Sequence, residues 1–305
     1  MPLDGQDRFR GCLLGLAVGD AVGTTVEFRA RGSFRPVTDM VGGGPFDLEP
    51  GQWTDDTSMA LCLAASLLER REFDPRDQME RYSRWQREGY LSSNGRCFDI
   101  GTTVRAALAK YSIEGNPYAG STDPMAAGNG CIMRLAPIPL FFFPNVDSVE
   151  RNAGESSRTT HGAAECVDAS RLFGRWLARA LLGQSKDEIL SADSESFTGA
   201  SRIKEIAGGH WRDKLESDIR GSGYVVHSLE AAAWCFWRTS TYRDAVLTAV
   251  NLGEDADTTA AVCGQLAGAH YGVPGIPAEW LGKLAFRDLI QDMADSFWSR
   301  ASAAD

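Results

Sequence analysis

The sequence predicts an all-α protein: a single compact multi-helix domain over residues 1–305, with its core at about 8–298. Apolar residues recur at helical spacing through most long segments, whereas strand-like alternation is scarce and no βαβ rhythm occurs. The glycine- and proline-rich pieces at 40–51, 115–130 and 272–278 predict loops. None of them is long or polar enough for a linker, which favours one domain over two.

Nine segments carry the helical spacing. They are 8–23, 57–71, 76–88, 101–111, 160–183, 225–238, 241–251, 257–271 and 283–300. In the first, glycines alternate with leucine, alanine and valine, which suits a tightly packed buried helix. The second ends in two arginines, and positive charge is favourable at a helix C-terminus.

The net charge of the chain restricts the kinds of partner that it can bind. The chain has a formal net charge of -10, which argues against nucleic acid and against a membrane surface, since both attract basic proteins. An anionic ligand would therefore need local attraction from metal ions, helix N-termini or a few arginines.

The cysteines indicate the cellular compartment in which the protein is expected. The seven cysteines are scattered without a CxxC pair, which is typical of core residues in a reducing environment. No charged-then-apolar signal segment opens the chain, and the apolar run at 135–144 is too short and too proline-rich to span a bilayer. We expect a cytoplasmic protein and, from its self-contained helical pattern, a monomer.

Two acidic helix starts are the main chemical signal. WTDDT at 53–57 and GEDADT at 253–258 each place two acids and a threonine at the first turn of a helix rich in small residues. Helix capping explains one acid per helix, at about 0.3–1 kcal/mol. It does not explain adjacent like charges in a partly buried place, where one acid should protonate unless a cation intervenes.

A cation between the two helix starts is the alternative to capping. Carboxylates and threonine hydroxyls are the oxygen donors that Mg²⁺, Mn²⁺ or Ca²⁺ prefer over Zn²⁺. The four histidines form neither HxxxH nor HExxH, which also disfavours zinc. Four or more acids make two ions plausible, as in binuclear hydrolases. The residues alone thus indicate a binuclear metal hydrolase, with capping still open.

Five blocks in this order resemble the ADP-ribosylglycohydrolase family. They are GCLLGLAVGDAVGTTVEF at 11–28, WTDDTSM at 53–59, GNGCIMR at 128–134, TTHG at 159–162 and GEDADTTAAVCGQLAGAHYG at 253–272. FDIG at 98–101 resembles the branch of dinitrogenase reductase-activating glycohydrolases and other ADP-ribosylarginine hydrolases. The resemblance implies an all-α fold with a binuclear Mg²⁺ or Mn²⁺ centre at the bottom of a cleft.

The resemblance also implies a set of metal ligands, matched motif to motif. Glu254 falls where the family varies, so we expect it to be a helix-start charge and not a ligand. The implied ligands are Thr54, Asp55, Asp56, Asp255, Asp257 and Thr258.

The implied reaction is hydrolysis of the N-glycosidic bond between ADP-ribose and an arginine side chain, which reverses mono-ADP-ribosylation of a protein. We expect Asp99 in FDIG to be the acid–base group, with capping of helix 101–111 as the alternative. Glu27 in TTVEF matches a glutamate of the family's entry loop and is the second candidate. A solvent-facing loop acid is its alternative.

Substrate-binding residues follow from the same match. GNG at 128–130 could offer backbone N–H groups to the diphosphate, or it could be an ordinary turn. His161 would line the ribose–phosphate region, with a helix cap or a core position as the alternative. Tyr224 would stack on adenine, with a core position as the alternative. We expect Arg134 to be structural. The candidates are Gly128, Asn129, Gly130, His161 and Tyr224.

Two other functions stay open at this point. One is a catalytically weak ADP-ribose-binding or immunity protein of the same fold. The other is a hydrolase of O-linked ADP-ribose on serine or on an O-acetyl group. The intact acids disfavour the first, and FDIG disfavours the second only by analogy.

Overall fold

The computed structural model describes residues 3–192 and 194–303, which fold into fourteen α-helices and short 3₁₀ turns. Within these residues, β-pairing is limited to three isolated bridges. The helices α1 to α7 are Gly5–Gly23, Asp55–Arg70, Pro75–Glu88, Thr102–Glu114, Pro137–Phe142, Val146–Arg158 and Ala164–Leu181. The helices α8 to α14 are Lys186–Ser191, Ser201–Ala207, Val225–Arg238, Tyr242–Val250, Ala256–Tyr271, Ala278–Lys283 and Arg287–Ser302.

Helices α1 and α12 form the centre of the fold and touch backbone to backbone. Glycines repeat every fourth residue on α1, so they share one face of the helix. A methyl group added to Gly15 would lie 2.4 Å from the Gly264 carbonyl oxygen, and one added to Gly268 would lie 1.9 Å from that of Gly11. The two helices run antiparallel, because Gly19 meets Ala260 one turn further along each. Any larger side chain in this face would force the helices apart.

The centre of the fold also accounts for the apolar character of α1. By length and composition alone, Gly5–Val26 could cross a membrane, and 89% of its most apolar window is buried inside the protein. Its neighbours there include α12, α14 and α11. Buried apolar residues from α1 to α14 form one cluster in the described part of the chain. The single-domain range 1–305 stays a prediction.

The helical fold class is confirmed, and seven of the predicted segments differ from the structure only at their ends. The segment 283–300 starts later, at Arg287, because Phe286 takes a left-handed backbone (φ 53°) just before α14. The segment 160–183 starts later, at Ala164, because His161 lies in a bridge with Ser121. The sequence reasoning missed α5, α6, α8, α9 and α13. Four of these are too short to show a period, and α6 is mostly polar.

Gly15→Ala should destabilise the protein strongly, because the new methyl group meets a backbone carbonyl that cannot move alone. We expect a loss at the upper end of the range of about 1–3 kcal/mol for overpacking, measured by urea unfolding. Gly282→Ala is the matched control: its methyl group meets nothing within 4 Å in helix α13. Equal stabilities for the two variants would contradict the backbone contact.

Candidate active site and metal centre

The two acidic helix starts lie side by side, although 202 residues separate Asp56 from Thr258. The Thr258 hydroxyl donates to Asp56 Oδ2 at 3.4 Å. Carboxylate oxygens of Asp20, Asp56 and Asp257 lie within 4.8 Å of one another. The prediction that tertiary folding unites WTDDT and GEDADT is therefore confirmed.

A second group of three acids adjoins the first. Glu27, Asp255 and Asp257 also bring carboxylate oxygens within 4.8 Å of one another, and Asp257 belongs to both groups. Asp257 therefore joins two neighbouring groups, each of which brings enough carboxylate oxygens together to hold a metal ion.

The caps of α2 and α12 come from elsewhere, which argues against capping as the purpose of the acid pairs. Thr54 and Asp255 occupy the N-cap positions, and neither makes a side-chain cap bond. Helix α2 is capped by Asp20 of α1, whose Oδ1 accepts from the Thr54 amide at 2.9 Å. Its Oδ2 accepts from the Thr57 amide at 3.1 Å. The acids of α2 are thereby left free for another task.

Glu27 caps the N-terminus of α12 in the same way. Its Oε2 accepts from the Ala256 amide at 2.7 Å and from the Asp257 amide at 3.2 Å. The side chain is 3% exposed, so the alternative of a solvent-facing loop acid is wrong. Burial, followed by repulsion from Asp257 and Asp255, raises the pKa of Glu27 far above its usual range.

The acid cluster carries more negative charge than its surroundings compensate. Burial is the first cause, and the neighbouring carboxylates add to it. The pKa values of Asp20 and Asp255 rise to about 7, and those of Asp55 and Asp56 rise well above their usual range. Such a cluster must take up protons at neutral pH unless cations neutralise it.

Unpartnered oxygens show where cations fit. Asp56 Oδ1 and Asp257 Oδ2 are buried without a hydrogen-bond partner among the described residues. A buried carboxylate oxygen without a donor is costly, and an ion removes that cost. The hydroxyls of Thr54 and Thr258 lie beside these carboxylates, 3.2 and 3.4 Å from Asp56 Oδ2. The donor set is all oxygen, which fits a hard divalent cation.

Asp99 lies at the cavity and does not cap a helix. Helix α4 begins at Thr102 with Gly101 as its N-cap and has no side-chain cap bond, so the capping alternative for Asp99 is wrong. Its backbone is left-handed (φ 59°), a strained state for a non-glycine residue. Burial, then Asp55 and Asp257, raise the pKa of Asp99 to about 11. Its carboxyl group therefore holds a proton at neutral pH in the metal-free protein.

A cavity of about 760 Å³ opens over these acids, a size typical of small-molecule sites. Glu27, Asp55, Asp255, Asp257 and Thr258 line one wall. A second part of the lining, the GNG wall, carries the GNG turn, a histidine and the first turn of α4. The residues of that wall are Gly101, Thr102, Thr103, Val104, Gly128, Asn129, Gly130 and His161.

The GNG turn is not an amide nest. The amides of Gly128 and Asn129 already donate to the carbonyls of Ala126 and Gly223, at 2.9 and 3.1 Å. The turn's glycines do not have the positive φ that a nest alternates with negative values. Their small size makes room for His161, whose Cε1 would lie 2.8 Å from a methyl group on Gly130. The expected amide nest is therefore wrong for these two residues.

The Asn129 side chain faces the acid cluster. Its amide nitrogen donates to Asp255 Oδ2 at 2.6 Å and to the Ser228 hydroxyl at 2.7 Å. Both amide hydrogens are used by these bonds, so Asn129 orients an expected metal ligand. Substrate contact through its remaining oxygen stays a prediction.

His161 is buried and lines the cavity. Its Nδ1 lies 2.8 Å from the Thr160 hydroxyl oxygen. Burial, and then the positive charge of Arg134, lower the pKa of His161 to about 3, which keeps the ring neutral. Its expected role toward ribose and phosphate remains a prediction that this placement supports.

Tyr224 lies next to the GNG turn, bridged to Gly128, at the N-cap of α10. Its hydroxyl donates to Glu165 at 2.5 Å. In the described structure the cavity is lined by Ser222 and Gly223, the residues before it, and not by Tyr224 itself. Stacking on adenine therefore stays a prediction. Glu254, as expected, is outside both acid groups.

Asp20 is the site residue that sequence reasoning missed. It is the one carboxylate in the run GLAVGDAVG at 15–23, and it is fully buried. A lone acid inside an apolar helix is the signal that could have found it, since such an acid needs donors from another element.

The family assignment follows from the match over the chain. The sequence matches the ADP-ribosylglycohydrolase family over residues 1–305. The chain belongs to the ADP-ribosylglycohydrolase family. The resemblance inferred from five motifs is thus confirmed, and it places the two acidic helix starts in the family's fold.

Similar proteins in this family share most of the chain. ADP-ribosylarginine hydrolase Tri1 of Pseudomonas putida (strain GB-1) is 46% identical over 304 residues, covering 100% of this chain and 81% of that protein. ADP-ribosyl-[dinitrogen reductase] glycohydrolase of Rhodospirillum rubrum is 34% identical, covering 92% and 90%. A solved structure titled "ADP-ribosylglycohydrolase-related protein complex" superposes with a TM-score of 0.87 at 42% identity, covering 97% of this chain and 99% of that one.

The metal-free protein should lose stability as pH rises from 5 to 8. The folded-state pKa values of Asp20 and Asp255, about 7, lie above the ordinary value of 3.8, so the folded state binds the extra protons. Stability from each group is full below pH 3.8 and is lost as pH rises through 7, by at most about 1.4 kcal/mol per pH unit. Mg²⁺ or Mn²⁺ should raise the melting temperature more at pH 8 than at pH 5.

Two variants separate this effect from general charge repulsion. Asp255→Asn should flatten the pH dependence in chelator. Asp295→Asn should lower stability evenly from pH 5 to 8, because Arg10 holds the pKa of Asp295 below its usual range. A melting temperature at pH 8 that neither ion changes would contradict the metal site.

Proposed function

We propose that this protein is a metal-dependent hydrolase that removes ADP-ribose from arginine side chains of a protein. The observation that carries the proposal is a single cavity in which Asp99 faces a buried acid cluster with two unpartnered oxygens. Its similarity to proteins named ADP-ribosylarginine hydrolase, at 46% and 43% identity, supports arginine as the attachment site.

The donor set supports two Mg²⁺ or Mn²⁺ ions as cofactors. The ions would be held by Thr54, Asp55, Asp56, Asp255, Asp257 and Thr258. When bound, they supply Lewis acidity toward ribose hydroxyls and lower the pKa of water. Asp20 and Glu27 hold the two helix starts in place, so the ligands keep their positions without caps of their own.

The reaction breaks the bond between the anomeric carbon of the distal ribose and a guanidinium nitrogen, and forms a bond from that carbon to a water oxygen. One proton leaves the water, and one reaches the departing guanidine. We assign this transfer to Asp99, which can accept the first proton and donate the second. Among the described residues, no backbone amide donates to its carboxyl group.

Glu27 is less suited to proton transfer than Asp99. Its Oε2 accepts two backbone amides of α12, which hold the side chain in place at the helix start. The geometry therefore favours a positioning role for Glu27 and leaves proton transfer to Asp99.

The proposal includes the partners and the setting. The substrate is an arginine-linked ADP-ribosylated protein and the product is ADP-ribose, with neither nucleic acid nor a membrane involved. All seven cysteines are unpaired, which supports a cytoplasmic, reducing setting. We propose that the protein acts as a monomer.

The substrate class can be tested with arginine-, serine- and O-acetyl-linked ADP-ribose, each with Mg²⁺, Mn²⁺ or chelator. We expect release of ADP-ribose from the arginine linkage, with activity lost in chelator. Cleavage of only the serine linkage would contradict the arginine assignment. Binding without turnover would support the alternative of an ADP-ribose-binding protein. Undiminished turnover by Asp55→Ala or Asp257→Ala would contradict the role of the ions.

Asp99→Asn should lower kcat by about 100- to 10,000-fold, the range for loss of a general acid–base group, with a small change in KM. The amide keeps the size of the side chain and removes its proton exchange. Asp292→Asn, an exposed acid on α14, is the control. Wild-type kcat in Asp99→Asn would remove it from proton transfer.

A further inference from the structure

A buried arginine lies directly behind the GNG wall of the cavity. Arg134 is fully buried, and none of the salt bridges among the described residues includes it. Its guanidinium donates to the Gly130 carbonyl at 2.5 Å and to the Thr160 hydroxyl at 2.7 Å. It also lies 5.0 Å from the centre of the Tyr82 ring. A buried charge without a carboxylate partner is costly, so we expect the charge of Arg134 to have a function.

The contact with Thr160 fixes the proton on His161. A guanidinium only donates, so the Thr160 oxygen is the acceptor in its bond with Arg134. The Thr160 hydroxyl is buried, and among the described residues its hydrogen has no acceptor other than His161 Nδ1, 2.8 Å away. Because Nδ1 accepts, the ring hydrogen must sit on Nε2.

That Nε2–H group faces the cavity and is unused. A methyl group on Gly130 would lie 3.2 Å from Nε2, and one on Gly128 would lie 3.4 Å from it. No described side chain or backbone group hydrogen-bonds Nε2, while the His161 side chain is 98% buried and lines the cavity. With the amides of Gly128 and Asn129 already bonded, His161 is a donor that this wall offers beside the start of α4 at Thr102 and Thr103.

We propose that Arg134 is a positioning residue for the anionic part of the substrate. Acting through Thr160, it holds His161 as the neutral Nε2–H form aimed at the diphosphate of ADP-ribose, and its own charge attracts that anion from behind the wall. This inference rests on the proposed function, because that function supplies the diphosphate.

The charges around the cavity support a role for the positive charge of Arg134 behind the GNG wall. The other part of the lining is acidic and the chain carries a net charge of -10, so an anionic ligand is repelled unless local charge intervenes. A guanidinium in a low-dielectric interior acts over a longer range than one in water. Its burial also prevents it from pairing with the acid cluster, which an exposed arginine would do.

The tautomer is tested first, by ¹⁵N–¹H correlation spectra of the His161 ring, assigned by loss of the signals in His161→Gln. We expect protonated Nε2 and bare Nδ1 in the wild type. Arg134→Met and Thr160→Val should both populate the Nδ1–H form. Thr160→Ser keeps the hydroxyl and should keep the wild-type spectrum.

Binding is tested by calorimetry with ADP-ribose at saturating Mn²⁺. We expect Kd to rise about 10- to 100-fold in Arg134→Met, as for loss of hydrogen bonding to a charged group, and less in Thr160→Val. The affinity for Mn²⁺ should not change, and KM should rise more than kcat falls. A merely structural role would lower stability without this selectivity.

Arg8→Met is the matched control. Its half-buried guanidinium donates to the carbonyls of Ala180, Ala269 and His270, away from the cavity. This variant should lose stability and keep both the His161 tautomer and the Kd for ADP-ribose.

The inference is overturned if Arg134→Met and Thr160→Val both keep the wild-type tautomer and a Kd within about twofold of wild type. If Arg134→Met does not fold, the tautomer and the Kd for ADP-ribose are measured in Thr160→Val and Arg134→Lys, and these two variants decide whether the inference stands. A wild type that binds ADP-ribose but does not cleave ADP-ribosylarginine contradicts the proposed function alone. If the wild type does not bind ADP-ribose, the His161 tautomer in Arg134→Met and Thr160→Val decides whether the inference stands.

Discussion

Everything at the active end of this protein depends on the backbone contact between α1 and α12. Glycines at every fourth position of α1 let it lie directly against α12, and the pair runs antiparallel. The last turn of α1 therefore meets the first turn of α12. Because Asp20 and Glu27 lie at this end, they reach the helix starts of α2 and α12. Separating the two helices by one side chain would draw Glu27 away from the start of α12.

Caps supplied by α1 and by the turn that follows it explain how so many acids come together. A helix start ordinarily uses a nearby acid to satisfy its amides, and that acid is then occupied. Here Asp20 and Glu27 take over this task, and Asp56 and Asp257 keep oxygens without partners. The N-terminal ends of two helices also favour negative charge, which partly offsets the repulsion. A dense carboxylate site is therefore stable enough to exist before cations bind.

The two walls of the cavity have opposite electrostatic character. One wall consists of carboxylates that need cations. The other presents a neutral His161, with the charge of Arg134 behind it. A ligand that carries both hydroxyls and a diphosphate can satisfy both walls in one orientation. This difference between the walls sets the orientation of a bound ligand, which the shape of the cavity alone does not set.

The sequence by itself determined the helical class, the glycine face of α1 and the acids at two helix starts, because these depend on local spacing. The tertiary structure decided which side chain caps which helix. It showed that Asp99 caps nothing, that Asp20 belongs to the site and that GNG makes room for a histidine. An amide is satisfied by whichever acceptor lies nearest in space. In Asp20 with Thr54 and in Glu27 with Ala256, that acceptor is 34 and 229 residues away.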